Sequence, residues 1–343
     1  MSKETVLFIG TIKKVANCGE SMKNHVMLRR FREVFDRVLV FDTWGVKHKP
    51  WRSIKLLWYL LFYRQAKIVV SASTYISYDV FRLLKMLGKK NVYYWVIGGV
   101  FPQLIEKNNY NPSIYRNLKG IFVESPRMVR DLEKYDIHHA YYVPNIKRID
   151  YQPSIEKRDY SKVRFVFLSR IHPAKGCDLI IESAKWLNDN GYQDRFIVDF
   201  YGAINKDYTG FESSIENIDN VNYKGFLKLS EKSGYDTLAT YSMMLFPTFW
   251  SGEGFPGIII DAFTAGLPVL ASDWNFNHDL VDESTGIIIS HHNQQQLTDA
   301  MKRVLDGVVD IKALAYNSLR MATKYDDRNV LSESLFKHYG LLE

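Results

Sequence analysis

A glycine-rich segment, Gly252-Glu253-Gly254-Phe255-Pro256-Gly257, carries the strongest chemical signal in the 343-residue sequence. It lies between an apolar run at 243–246 and a helical pattern at 257–265, which predicts a loop joining a strand to a helix. Glycines allow the backbone to approach a ligand closely, and proline followed by glycine suits the start of a helix. The free N–H groups and the positive dipole end of that helix would bind phosphate.

The same segment matches the dinucleotide-binding fingerprint G-x-G-x-x-G, and the acid Asp273 follows its first glycine by about 20 residues. Only about a quarter of the chain remains after it, which is too little for the rest of a dinucleotide-binding sheet. Glu253 would also place a negative charge beside a pyrophosphate. A nicotinamide-dependent oxidoreductase is therefore the less favoured interpretation. The segment is expected to bind phosphate whether or not it belongs to a dinucleotide-binding fold.

Two cations, Arg170 and Lys175, follow the apolar run at 164–168. This run predicts the first strand of a second sheet, and ligands of such sheets bind at the carboxyl ends of the strands. A diphosphate at that edge would need cations to neutralise it. Solvated surface charge is the alternative interpretation for either residue alone, and the occurrence of both in one loop favours an anion site.

The sequence contains no strong metal-binding pattern. The histidine pairs at 138–139 and 291–292 would point to opposite faces if they lay on strands, and no carboxylate or cysteine accompanies them at helical spacing. Two cysteines, Cys18 and Cys177, are too few for a disulfide framework or a four-ligand structural zinc site. We therefore expect no metal and a reducing compartment.

Short apolar strands alternate with helical patterns along the chain, which predicts parallel sheets within an α/β fold. The alternation stops in an irregular polar stretch before residue 160 and then restarts, so we expect two doubly wound domains, 1–150 and 151–325. A further helix is expected to start at Asp326-Asp327. Loops at the carboxyl ends of both sheets would meet in an interdomain cleft, where substrate should bind.

Charge is divided unequally between the two halves. Residues 1–150 contain 26 Lys and Arg against 12 Asp and Glu, whereas residues 151–343 contain 19 against 26. The first half therefore favours an anionic partner, either nucleic acid or a membrane. It contains no recognisable nucleic-acid recognition motif.

One segment of the basic half is unusually aromatic. Eight consecutive apolar or aromatic residues, 56–63, are flanked by cations and include no acid. A helix of this kind suits an interfacial position on an anionic membrane, and a core helix covered on all sides is the alternative. The candidate membrane contacts are Trp51, Lys55, Trp58, Phe62 and Arg64. The sequence shows neither a signal-peptide core nor a membrane span, so we expect a cytoplasmic protein.

Together these segments resemble the retaining glycosyltransferases with two Rossmann-like domains, the GT-B architecture, and within it glycosyltransferase family 4. The resemblance covers nearly the whole chain and is strongest over residues 163–290. In that family a strand-end arginine and a nearby lysine bind the donor diphosphate, and they correspond to Arg170 and Lys175. A glutamate that approaches the donor sugar corresponds to Glu253. The resemblance thus implies catalytic roles for these three residues.

The family's second acid, which binds the ribose hydroxyls, falls on Asp261, a shorter carboxylate than the usual glutamate. The histidine that many relatives carry near the end of the fourth strand is missing from residues 96–99. Further donor contacts are implied at three other places. These are Gly254, Phe255, Pro256, Gly257 and Ile258 at the helix start, Phe226 and Leu227 near the nucleobase, and Gly19 in the first glycine loop, 17–20.

The resemblance implies transfer of a hexose, with retention of configuration, from a UDP-sugar or a GDP-sugar. The implied acceptor is a lipid-linked glycan of bacterial surface polysaccharide biosynthesis. Metal-dependent sugar transferases of the other architecture use Asp-x-Asp, which this sequence lacks, so we expect neither metal nor cofactor.

The implied partners are a nucleotide sugar, a lipid-linked saccharide acceptor and an anionic membrane surface, with no nucleic acid. The enzyme would be peripheral at the inner face of the plasma membrane. Residues 326–343 would form a terminal helix that packs on the first domain. A non-catalytic relative acting as an interaction subunit is the alternative, but it would be expected to lack the diphosphate cations.

Overall fold

The computed structural model describes residues 4–12, 19–44, 46, 51–99, 101–108 and 110–343. The chain divides into two compact units. Unit 1 comprises Met1–Arg148 and Tyr325–Glu343, and unit 2 comprises Ile149–Lys324. These bounds lie within two residues of those expected from the sequence.

Unit 1 is built on a sheet of six parallel strands in the order β2-β1-β3-β4-β5-β6. The strands β1, β3, β4 and β5 are almost entirely buried, which explains their nearly continuous apolar sequences. The six strands are β1 Thr5–Gly10, β2 Arg37–Asp42, β3 Lys67–Ser73, β4 Val92–Ile97, β5 Gly120–Val123 and β6 Ala140–Tyr142.

Eight helices are found among the described residues of unit 1. They are α1 Gly19–Val34, α2 Arg52–Phe62, α3 Thr74–Met86, α4 Phe101–Lys107, α5 Ser113–Arg116, α6 Pro126–Glu133, α14 Asp327–Val330 and α15 Glu333–His338. Helix α6 begins as its sequence predicts, because the Ser125 hydroxyl accepts from the Arg127 N–H and Pro126 occupies the first helical position.

The expectation of a single terminal helix is wrong. Two short helices, α14 and α15, take its place, because the Ser332 hydroxyl accepts from the Leu335 N–H and starts a new helix. Phe336 of α15 is fully buried, and its ring lies 5.2 Å from that of Phe31 in α1. The terminal segment therefore belongs to the core of unit 1.

Unit 2 is built on a second sheet of six parallel strands, in the order β12-β11-β10-β7-β8-β9. The strands are β7 Val163–Leu168, β8 Phe196–Tyr201, β9 Val221–Tyr223, β10 Met243–Phe246, β11 Val269–Asp273 and β12 Gly286–Ser290. The helices are α7 Cys177–Asp189, α8 Phe211–Ile215, α9 Lys232–Leu238, α10 Gly257–Thr264, α11 Asn277–Leu280, α12 Gln294–Leu305 and α13 Ile311–Ala322.

Several helices, including α4, α8 and α13, were not predicted from the sequence. The strand argument for the histidine pairs is also wrong, since residues 138–139 precede β6 and residues 291–292 lie in the turn after β12. Nowhere in the described part of the chain do three metal-ligating side chains come together. Nor do the described residues include a helix with the length and apolar character that crossing a membrane requires.

Candidate functional site

The carboxyl ends of β10, β7 and β8 lie side by side in the sheet of unit 2. Two glycines with positive φ allow the loops that follow these strands to touch. A Cβ at Gly202 would lie 1.8 Å from the Ser169 carbonyl oxygen, and one at Gly176 would lie 2.3 Å from that of Pro247. The loop after β7 is therefore packed between the loops after β8 and β10, and only glycine fits at the two closest approaches.

This packing joins two of the three predicted catalytic residues. The ammonium of Lys175 and the carboxylate of Glu253 form an ion pair, and the two side chains are only 12% and 13% exposed. Thr248, which is fully buried, donates its hydroxyl to Oε2 of Glu253 at 3.2 Å. The structure thus places Lys175 as the partner of Glu253 and not as an isolated cation.

Arg170, the third predicted catalytic residue, lies just beyond β7 with its side chain exposed. Among the described residues its guanidinium has no hydrogen-bond or ion-pair partner. All five of its N–H donors are therefore available to a ligand. A guanidinium matches the geometry of phosphate oxygens in two-pronged hydrogen bonding.

Helix α10 begins at the predicted glycine-rich segment. Phe255 and Pro256 are buried, and Gly254, Gly257 and Ile258 are partly exposed. No side chain of the described residues caps this helix start. The N–H groups of its first turn have no partner within the helix, so they form a positive site of the kind that binds phosphate.

Asp261 lies one turn further along α10 and is only 3% exposed. Its Oδ1 accepts a hydrogen bond of 2.6 Å from the Tyr235 hydroxyl of α9. Burial and then the nearby Asp261 carboxylate raise the pKa of Tyr235, so its hydroxyl remains protonated and continues to donate. The acid that the resemblance assigns to the ribose is therefore already engaged by a tyrosine.

Three other predicted donor contacts are distant in sequence from the ion pair of Lys175 and Glu253. Phe226 is 73% exposed, and Leu227 is half-buried, in the loop after β9. Gly19 is the first residue of α1 in unit 1, and a Cβ there would meet no atom within 4 Å. The predicted glycine loop also includes residues 17 and 18, which lie outside the described residues.

Helix α2 exposes one apolar face. Leu56 and Leu60 are buried, whereas Trp58 and Phe62 are 46% and 69% exposed, with their ring centroids 5.0 Å apart. The candidates Trp51, Lys55 and Arg64 are also exposed. The interpretation of this segment as a core helix covered on all sides is wrong, because only one edge of α2 packs on unit 1.

Unit 1 contains a buried ion pair between α1 and the carboxyl end of β5. The ammonium of Lys23 lies 2.6 Å from the Glu124 carboxylate, and the side chains are 4% and 5% exposed. Beside Lys23 in α1, the Asn24 amide donates to the carbonyl oxygens of Thr11 and Ser71, beyond β1 and within β3. Polar side chains of α1 thus tie three strands together at this edge.

Cys177 begins α7 and is fully buried. Burial raises the pKa of its thiol to about 12. The thiol therefore remains protonated near neutral pH, and a nucleophilic role is excluded.

The fold is that of the two-domain GT-B glycosyltransferases, as comparison with solved structures shows. HepE from Anabaena in complex with UDP matches over 99% of this chain and 100% of its own, with a TM-score of 0.72 and 13% identity. The lipopolysaccharide outer core galactosyltransferase WaaB matches over 98% and 100%, with a TM-score of 0.70 and 13% identity. TarM matches over 79% of this chain and 54% of its own, with a TM-score of 0.62 and 18% identity.

Residues 162–307, within the second unit, match the family model "Glycosyl transferases group 1". The alpha-D-kanosaminyltransferase of Streptomyces kanamyceticus is 24% identical over 162 residues, 47% of this chain and 41% of that protein. The chain thus matches less than half the length of this curated relative and about half of TarM.

Sequence reasoning missed Thr248, Tyr235 and the turn after β11, all of which contact the predicted site residues. Thr248 is five residues from its partner Glu253, and Tyr235 is 26 residues from Asp261. Neither separation follows a strand or helix period. No local signal in the sequence therefore identifies these contacts.

Proposed function

We propose that the protein is a retaining glycosyltransferase that transfers a hexose from a nucleoside diphosphate sugar and uses no metal. The observation that carries the proposal is the largely shielded ion pair of Lys175 and Glu253 at the carboxyl edge of the unit 2 sheet. The exposed Arg170 and the uncapped start of α10 belong to loops at the same edge. Together they offer cations and N–H donors to a diphosphate and a carboxylate to a sugar.

The charges that develop during transfer match these groups. Departure of the diphosphate increases its negative charge, which Arg170, Lys175 and the first N–H groups of α10 would stabilise. The sugar ring becomes positively charged, and the Glu253 carboxylate would stabilise it. A diphosphate oxygen would take the proton of the acceptor hydroxyl, so no protein nucleophile is required.

UDP is the proposed nucleotide. Solved structures of the same fold contain UDP or UDP-glucose in HepE, and UDP with GlcNAc in the pneumococcal O-GlcNAc transferase GtfA. Turnover of a panel of UDP-sugars and GDP-sugars by the purified protein, in the presence of a metal chelator, tests this function. We expect release of UDP, and a panel in which no nucleotide is released would contradict the proposal.

The proposed acceptor is a lipid-linked glycan of bacterial surface polysaccharide, bound by unit 1 at the inner face of the plasma membrane. The excess of basic residues in the first 150 positions and the exposed aromatic face of α2 support this. Exposed indole and phenyl rings on a segment that also exposes Lys55 and Arg64 suit the headgroup region of an anionic bilayer. We propose that this face holds the enzyme where its acceptor lies.

Replacing Trp58 and Phe62 together by serine is expected to lower binding to phosphatidylglycerol vesicles by at least about tenfold, since the two rings supply apolar area to the interface. Cosedimentation with vesicles of increasing phosphatidylglycerol content measures the effect. Trp186→Ser is the matched control, because Trp186 is 40% exposed on α7 of unit 2. Equal cosedimentation of the wild type and the double variant would contradict membrane contact through α2.

A further inference from the structure

The loop that carries Glu253 is attached to the end of the neighbouring strand β11. Strands β10 and β11 pair in parallel, so the turn after β11 lies beside the loop after β10. The Trp274 indole N–H donates to the carbonyl oxygen of Trp250 at 2.8 Å. The Asn275 side-chain amide donates to the carbonyl oxygen of Glu253 itself, also at 2.8 Å.

Two further contacts fix the same loop. The fully buried hydroxyl of Ser272 donates to the carbonyl oxygen of Thr248. From the loop after β7, the Ala174 carbonyl oxygen accepts from the N–H of Phe249 at 2.8 Å. The segment from Thr248 to Glu253 is therefore held from both neighbouring strand ends.

The backbone of Asn275 lies in the left-handed region, with φ of 51°. Few residues other than glycine adopt this conformation, although asparagine tolerates it better than most. Such conformations persist where surrounding contacts impose them, and they are frequent at functional sites. Here the conformation accompanies the contact between the Asn275 amide and the residue that carries the carboxylate.

We propose that Trp274 and Asn275 are positioning residues for Glu253. They fix the backbone from which the carboxylate extends, so that its orientation toward the donor sugar is set before substrate binds. This inference rests on the proposed function, because it assigns to these two residues the role of orienting Glu253 in that reaction. Misplacement of a reacting group by about 1 Å costs on the order of 10²-fold in rate, so loss of either hydrogen bond should lower turnover.

Two variants remove the donors, and Asn275→Asp also keeps the shape of the side chain. Asn275→Asp loses the amide N–H and still tolerates positive φ, and Trp274→Phe loses the indole N–H and keeps an aromatic ring. Asn190→Asp is the matched control, because the exposed Asn190 amide donates to the Trp186 carbonyl oxygen at 2.7 Å at the far end of α7.

We expect Asn275→Asp and Trp274→Phe each to lower kcat by about tenfold or more. The donor KM should change less than threefold, and the affinity and stoichiometry of UDP binding should be unchanged, whereas general destabilisation would lower the stoichiometry together with kcat. Asn190→Asp should resemble the wild type. If the wild type turns over donor but both variants keep its kcat, or if kcat and UDP affinity fall together, the positioning role is wrong.

Hydrogen exchange provides a measurement that does not depend on turnover. In the Asn275→Asp variant we expect faster amide exchange in a peptide covering residues 248–253, with no change elsewhere in unit 2. Unchanged exchange in that peptide would overturn the inference even if the wild type releases no UDP. A wild type that releases no UDP would by itself count only against the proposed function.

Discussion

Replacing Glu253 by glutamine lowers kcat for UDP-sugar turnover by about 10²-fold, with little change in UDP affinity. Glutamine keeps the size of the side chain and its ability to accept a hydrogen bond from Lys175, but it removes the negative charge. That charge is needed most in the transition state, where the sugar ring becomes positive, and is needed little for binding UDP. Initial-rate measurements and calorimetric titration with UDP separate the two effects.

Glu182→Gln serves as the control for this substitution. Glu182 pairs with Lys185 on the surface of α7 and is 58% exposed, so removal of its charge should leave kcat unchanged. If Glu253→Gln retained wild-type kcat, the carboxylate would not face the sugar. If it lost UDP affinity in proportion to kcat, Glu253 would act in nucleotide binding and not in the chemical step.

Replacing Lys23 by methionine lowers the free energy of unfolding by about 3–5 kcal/mol, because it leaves the Glu124 carboxylate buried without its cation. The length of the side chain is preserved, so packing changes little. Urea denaturation of the wild type and the variant measures the difference. The double variant Lys23→Met/Glu124→Leu removes both charges and should recover most of the lost stability.

Lys185→Met is the control for this prediction, since Lys185 is 44% exposed in its pair with Glu182 and should contribute little. A Lys23→Met variant as stable as the control would show that Glu124 is hydrated or differently paired in solution. A double variant no more stable than the single one would show that the loss comes from packing and not from an uncompensated charge.

The alternation of strands and helices in both units could be predicted from the sequence because buried parallel strands are nearly continuous apolar runs. β4, with the sequence VYYWVI, is fully buried except at its last residue. Short helices such as α8, Phe211–Ile215, were missed because five residues contain barely one helical period. The division of the terminal segment depends on Ser332, whose role as a cap becomes visible only when its partner Leu335 is known.

The candidate site was predictable where a local pattern carried it. Glu253 and the start of α10 follow from glycines and a proline between a strand and a helix. The ion pair with Lys175 joins residues 78 positions apart and depends on how the loops after β7 and β10 pack. No rule of residue spacing predicts a contact over that separation. The contacts of Trp274 and Asn275 could not be predicted either, because their partners are backbone carbonyl groups, and every residue has one.

The two faces of α2 illustrate another limit. Its run of apolar residues fits both a covered helix and an interfacial one, because composition does not report which side packs. The structure distinguishes Leu56 and Leu60, which are buried, from Trp58 and Phe62, which are not. The exposed rings are therefore a property of the fold, and their contact with lipid remains a prediction for the vesicle experiment.

Calorimetric titration of UDP into the wild type and Arg170→Ala shows whether the carboxyl edge of the unit 2 sheet binds a nucleoside diphosphate. Loss of a charge-assisted contact to phosphate should weaken binding by about 10- to 100-fold. The control, Arg195→Ala, removes an arginine that pairs with Asp306 on the surface of unit 2 and should bind UDP as the wild type does. Absence of UDP binding by the wild type, or equal affinity of Arg170→Ala and the wild type, would contradict nucleotide binding at this edge.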